Sequence, residues 1–295
     1  MNAQHTSARR DFTYTDEHGI EISAYAWAPN PAATPEPHAA VQISHGIGEH
    51  ALRYEAFARF LTEAGFVVYA NDHRGHGETG RKQHGGELTL LGKLGPGGLR
   101  AAEAAIRQLT GIIRAEHPGM RVAQFGHSWG SLMTQRIINE HPRQWDAVVL
   151  SGSAYRTPRY MESGKLNAKW AADDGATGFE WLSRDPATAA AFLADPLCFE
   201  ANIIKLFGLS DGLRLFGVPG EKLAGGVPLL IVSGGDDPLS RGDGLRRLAD
   251  AYRARGVRDV ALKIYPGARH EILNETHRDA VYSDIATWLL ERVDS

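Results

Sequence analysis

Apolar and polar positions divide the chain into short apolar runs bounded by turn residues, with longer helix-like segments between many of them. Residues 11–15 and 21–27 predict an antiparallel strand pair joined through Asp16-Glu17-His18-Gly19, a turn-prone connection. A proline-rich loop follows at 29–37. From there the pattern changes. The runs 41–44, 66–70, 122–125, 147–151, 228–232 and 260–265 lack alternation and read as strands buried on both faces. Segments 54–64, 99–117 and 131–140 read as helices, the first ending at Gly65 and the second before Pro118. Strand and helix in alternation predict an α/β fold, with a mostly parallel eight-stranded sheet flanked by helices.

One stretch breaks the alternation. Between residues 151 and 228 the chain spends over 70 residues without a convincing strand, far more than one crossover helix needs. This predicts a helical cap inserted after the sixth strand. Residues 1–152 and 227–295 would then form the two parts of the core, and 153–226 the cap. The apolar residues of the cap fall into two groups, one from Trp170 through Phe179, Trp181, Leu182, Phe192 and Leu197 to Phe199, the other from Ile203 to Phe216. Most should pack on the core. The rest would line an apolar tunnel beneath the cap, suited to an alkyl group, because such groups are bound by removing their surface from water. The segment 203–218 is also a candidate for transient contact with a lipid surface, although Lys205, Asp211 and Arg214 form no basic face.

Candidate chemistry begins at Gly126-His127-Ser128-Trp129-Gly130, which directly follows an apolar run and directly precedes a helix-like segment. That context marks a nucleophile elbow, a strained turn with the serine hydroxyl exposed above the sheet. A serine needs a base and a carboxylate to orient it. Run 228–232 leads into Ser233-Gly234-Gly235-Asp236-Asp237-Pro238, and run 260–265 leads into Pro266-Gly267-Ala268-Arg269-His270. One Ser, one Asp and one His thus each follow the carboxyl end of a predicted strand, where open α/β sheets place their chemistry. Of the adjacent acids, Asp237 is favoured over Asp236 by the following Pro238 and its spacing from Gly234, and Asp243 reads as a first-turn acid of the next helix. His277 is assigned to the solvated face of the last helix. The oxyanion of an acyl transfer needs two N–H donors. The amide of Trp129 is one, and that of Ile47, in the loop after the third strand, is the candidate second.

The set H-G-I-G-E-H-A-L-R-Y at 45–54, N-D-H-R-G-H-G-E-T at 71–79, G-H-S-W-G-S at 126–131 and Y-P-G-A-R-H-E-I-L-N-E at 265–275 closely resembles the monoacylglycerol lipase and lysophospholipase branch of the α/β-hydrolases. The resemblance spans about residues 9 to 293. It implies the α/β-hydrolase fold, a Ser128–Asp237–His270 triad, an oxyanion hole from Ile47 and Trp129, and hydrolysis of carboxylic esters bearing one acyl chain. It also implies that Glu49 and Arg53 help line the pocket on the alcohol side. Two departures stand out. The lipases place a second His three residues after the catalytic one, where this chain has Leu273, and Ser240 replaces a cysteine found close after the acid in the mammalian lipase.

A triad fixes nucleophile chemistry and not substrate, so amidase, aminopeptidase or perhydrolase chemistry stays open, as does, at a greater distance, a non-catalytic ligand receptor. No metal or organic cofactor is required by this chemistry. His73 and His76 lie in an R-G-H-G loop that the resemblance assigns to structure, without metal-ligand spacing. Composition narrows the setting. With 32 basic against 35 acidic residues the net charge is -3, and no basic stripe argues for nucleic acid. One cysteine, Cys198, excludes an internal disulfide framework and suits a reducing, cytoplasmic compartment. No run approaches the roughly 20 apolar residues of a membrane helix, and the first ten residues lack the apolar core of a secretory signal.

Overall fold

The computed structural model describes residues 9–293 apart from 163 and 224. Strands β1 (Arg9–Thr15), β2 (Glu21–Trp27), β3 (Ala40–Ser44), β4 (Val67–Asn71), β5 (Val122–His127), β6 (Ala147–Ser151), β7 (Leu229–Gly234) and β8 (Val260–Tyr265) form one sheet in the order β1-β2-β4-β3-β5-β6-β7-β8. The β1–β2 and β2–β4 pairs are antiparallel and all others parallel. Strands β3 to β7 are buried along their whole length, which is why their sequences are apolar without alternation.

Two apolar layers cover the sheet. Helices α3 (Gly98–Glu116), α4 (Trp129–Glu140) and α7 (Gly244–Ala254) pack on one face, α1 (Glu55–Glu63) and α8 (Arg278–Val293) on the other. Helix α7 illustrates the rule. Leu245, Leu248, Ala249 and Tyr252 are its buried side chains, at the i, i+3, i+4, i+7 spacing of one helical stripe. Helix α2 (Gly77–Gln83) has no such stripe and was not legible from periodicity. It is held instead by Asp72, whose carboxylate accepts from the Glu78 N–H at 2.8 Å and whose carbonyl accepts from the Thr79 hydroxyl at 2.9 Å.

Strands β5 and β7 each run two residues beyond their apolar cores, so that His127 pairs with Ser151 and Gly234 with Tyr265 at the carboxyl edge. His277 is not part of the last helix. It precedes α8, packs its ring 5.7 Å from that of Tyr265 and lies 2.9 Å from Arg184.

The insertion between β6 and β7 contains helices α5 (Pro186–Ala194) and α6 (Ile203–Arg214), with no strand among its described residues. Asp185 caps α5 and Asn202 caps α6 through their side-chain oxygens. Gly208, at φ 72° and ψ 175°, breaks α6 in its middle. No helix among the described residues is long and apolar enough to cross a membrane.

Arg156 ties the two ends of the insertion to the core. Its buried guanidinium donates to the Leu215 carbonyl at 3.0 Å and to Gln135 at 3.1 Å, and its carbonyl accepts from the Gly217 N–H at 2.7 Å. Burial lowers its pKa to about 10, which leaves it cationic at neutral pH. Arg156→Ala leaves two buried acceptors unpaired and should cost about 3 kcal/mol in urea unfolding. An unchanged unfolding midpoint would show that other contacts hold the insertion.

Candidate active site

The turn between β5 and α4 is built on a strained residue. Among the described residues Ser128 alone, of those that are not glycine, has positive φ, at 51° with ψ −122°. Such a conformation costs about 1–3 kcal/mol and persists only where the surroundings impose it. Here the Ser128 N–H donates to the Ser151 carbonyl at 2.9 Å, and its own carbonyl accepts from the Ser131 hydroxyl at 2.6 Å and the Ser131 N–H at 2.9 Å. Gly130 completes the turn because a Cβ there would lie 2.2 Å from the Ser44 carbonyl oxygen and 2.5 Å from that of His45. The helix can begin against the end of β3 only with no side chain at that position.

His270, in the loop after β8, lies with its Nδ1 2.9 Å from Asp237 Oδ1. That oxygen also accepts from the Leu239 N–H, and Oδ2 accepts from the Ser233 hydroxyl, each at 2.9 Å. Three bonds fix the carboxylate. Burial opposes the charge of Asp237, but the facing imidazole and these donors outweigh it, and the carboxyl is held below its ordinary range. For His270 burial likewise disfavours the cation, yet Asp237 and, after it, Glu271 and Glu49 pull its pKa above the ordinary value. Its Nε2 is buried and makes no hydrogen bond. Asp236, by contrast, points outward and pairs with Lys169 at 2.9 Å.

Ser128 and His270 line one cavity of about 310 Å³, roofed by the insertion. Its apolar wall comes from Leu166, Phe179, Trp181, Leu182, Phe192 and Phe199. None of the described side chains of the second apolar group, 203–216, lines it. Ile203, Phe207 and Leu215 pack on the core instead, with Phe207 5.1 Å from the ring of Trp129, because α6 lies against α3, while Leu209 and Leu213 are exposed. The insertion also grips the base loop. The His270 N–H donates to the Trp181 carbonyl at 3.2 Å and the Glu271 N–H to that of Leu182 at 2.7 Å.

Ile47 lines the cavity in the loop after β3, and Trp129 is the first residue of α4, so its N–H has no acceptor within the helix. Glu49 shapes the Ile47 loop. Its Oε1 accepts from the Gly46 N–H and the Tyr54 hydroxyl, each at 2.6 Å, and a Cβ on Gly46 would meet that same oxygen at 2.6 Å. Arg53 lies behind Glu49 rather than on the cavity wall. It donates to Glu49 at 2.6 Å and forms a two-pronged pair with Glu271 at 2.7 and 2.8 Å. Leu273 is likewise off the wall, buried beside Tyr54, Phe57 and Tyr282. The polar side chain that instead lines the cavity beside His270 is Glu271, which sequence reasoning passed over although it directly follows His270.

His45, His73 and His76 cluster behind the Ile47 loop with ring centroids of His45 and His73 4.0 Å apart, and His73 donates its N–H to His45 Nε2 at 2.9 Å. Burial keeps them neutral, lowering His73 to about 3 and His76 to about 4. A further His, Asp and Cys meet where no sequence spacing pointed. His50 Nε2 lies 2.8 Å from Asp195 Oδ2, with Cys198 beside them. Asp195 also accepts from the Leu197 N–H, and Phe199 donates to the Gly48 carbonyl, so the trio and its neighbours latch the insertion onto the Ile47 loop.

The family model described as serine aminopeptidase, S33, matches residues 35–277. The chain belongs to that family of α/β-hydrolases. Its sequence is similar to the monoacylglycerol lipase of Mycolicibacterium smegmatis, 30% identical over 98% of this chain and 99% of that one, and to human monoglyceride lipase, 27% identical over 90% and 86%. Its structure is similar to that of a thermostable carboxyl esterase from Bacillus coagulans solved with glycerol, with TM-score 0.84, 25% identity, and coverage of 98% and 100%.

If His270 is the proton acceptor it must be neutral, so activity should be lost as pH falls through its raised pKa and present above it. The acidic limb of kcat/KM should have its midpoint above about 6.5, the ordinary imidazole value. Glu271→Gln should move that midpoint down. A wild-type midpoint at or below 6.5 would contradict the electrostatic balance described.

Proposed function

We propose that the protein is a serine hydrolase that cleaves carboxylic esters with a single acyl chain, such as monoacylglycerols or lysophospholipids, through an acyl-enzyme. The observation that carries the reading is the buried Asp237–His270 pair whose unpaired Nε2 shares one largely apolar cavity with the strained Ser128. In this reading Ser128 attacks the ester carbonyl as His270 takes its proton at Nε2. Asp237 holds the imidazole by Nδ1 and stabilises the imidazolium. The amides of Ile47 and Trp129 hold the oxyanion, and the alcohol leaves with the proton from His270. Water then attacks the acyl carbonyl as His270 takes its proton, and His270 passes that proton to Ser128 Oγ as the bond to the acyl group breaks. Glu49 lines the alcohol side and Arg53 holds Glu49 in place.

The reading divides the chain at 1–152, 153–226 and 227–295 into core, cap and core, with the cap supplying the acyl wall. Its place of action is the cytoplasm, a view supported by the single cysteine, Cys198. The cap also meets lipid surfaces transiently, which is supported by the exposed side chains of Leu209, Leu213 and Val218.

Ser128→Ala should abolish fluorophosphonate labelling and lower esterase turnover by several orders of magnitude without unfolding the protein. Asp237→Asn should cost about 10⁴-fold in kcat, and Asp236→Asn much less, since Asp236 faces solvent. Labelling of the Ala variant, or equal losses at the two acids, would overturn the assignment.

Acyl length provides the test of substrate class. Each buried CH₂ contributes about 0.8 kcal/mol, or about fourfold in kcat/KM, until the cavity is filled. Across p-nitrophenyl esters, aryl amides, monoacylglycerols and trioctanoin, rates should climb from acetate towards medium chains. A maximum at acetate, faster amide hydrolysis, or preference for the triester would contradict the proposal.

A further inference from the structure

Two carboxylates and one guanidinium make up the buried ionised floor beside His270. Glu49 and Glu271, 3% and 5% exposed, both face the cavity, while Arg53 sits behind them and is engaged by both. Its pairing with Glu271 is two-pronged, it donates also to Glu49, and it lies 5.1 Å from the centre of the Phe192 ring. The guanidinium's hydrogen bonds thus go to the two carboxylates, and the group carries one uncompensated negative charge. The other charged side chains on the wall, Lys165 and Glu200, are exposed, offset one another and are screened by solvent.

We propose that Glu271, together with Glu49, makes this a site for esters whose alcohol portion is neutral or cationic, and that it excludes esters carrying an anion near the scissile bond. This rests on the esterase reading and narrows it within single-chain esters. A phosphate a few bonds from the ester would be brought within several ångström of the two buried carboxylates. Like charges at such a distance repel, and the one nearby cation is already engaged by both carboxylates. Neutral glycerol hydroxyls meet no such barrier, and can donate hydrogen bonds to either carboxylate.

The test compares three substrates of equal chain length on the wild-type enzyme: 1-lauroylglycerol, 1-lauroyl lysophosphatidate, and the dimethyl phosphate triester of that lysophosphatidate. The triester retains the bulk of the phosphate and lacks its charge. We expect kcat/KM for the anion to fall at least tenfold below both neutral esters, with the triester close to the glycerol ester. In Glu271→Gln, where one carboxylate faces one guanidinium, the ratio of anion to triester should rise at least fivefold, whatever happens to the absolute rate. Equal rates on the anion and the triester in wild type would overturn the proposal, as would an unchanged ratio in a Glu271→Gln enzyme that still labels with fluorophosphonate. The wild-type comparison decides the matter alone should that variant fail to fold. Inactivity on all three esters would instead overturn the esterase reading beneath it.

Discussion

The close approach of α4 to the carboxyl end of β3 is the constraint on which the rest of the site depends. With hydrogen in place of a side chain at Gly130, the helix begins against the Ser44 and His45 carbonyls, and the chain between β5 and α4 must turn within one residue. Ser128 takes up that turn in a left-handed conformation that a serine does not adopt unaided. The neighbouring strand anchors its N–H and the first turn of α4 its carbonyl, so the strain is distributed into the most buried part of the sheet. In the proposed mechanism a nucleophile set in this way needs no reorganisation on reaction, which is where preorganised sites gain over water.

Around that point the polar groups are arranged by burial. Asp237, His270, Glu49 and Glu271 are each less than about a tenth exposed, and three of them are acids. Isolated, each carboxylate would be costly to bury. Each is stabilised by specific donors: Asp237 by Ser233, Leu239 and His270, Glu49 by Gly46, Tyr54 and Arg53, Glu271 by Arg53 and Asn274. These bonds join three separate segments of chain, 46–54, 233–239 and 270–274, at one corner of the sheet. The same network that shapes the Ile47 loop thus also sets the field at His270.

The insertion serves the site from one end only. Its first half, through Phe199, covers the cavity and hydrogen-bonds the loop of His270, whereas α6 rests on the core with Phe207 against Trp129. The His50–Asp195 pair joins that roof to the loop that carries Ile47. Movement of the cap would therefore be felt directly by both the base loop and the Ile47 loop.

Local sequence determined the strands, most of the helices and the serine turn, because each depends on neighbours within a few positions, and it favoured Asp237, with Pro238 after it, as the acid that in the structure faces His270. Apolar runs without alternation must be buried on both faces, and a Gly-x-Ser-x-Gly between strand and helix leaves the backbone one way to turn. Helix α2 was missed because Asp72 holds it through side-chain bonds that periodicity does not register. Which residues of the insertion face the cavity, the withdrawal of Arg53 and Leu273 from its wall, and the place of Glu271 on that wall with Glu49 were decided only by tertiary structure. An apolar stretch looks the same whether it packs on a core or lines a cavity, as the two cap groups demonstrate. The charge of a site is a sum over residues as far apart as Arg53 and Glu271, 218 positions in the chain, and only the fold brings such residues within hydrogen-bonding distance.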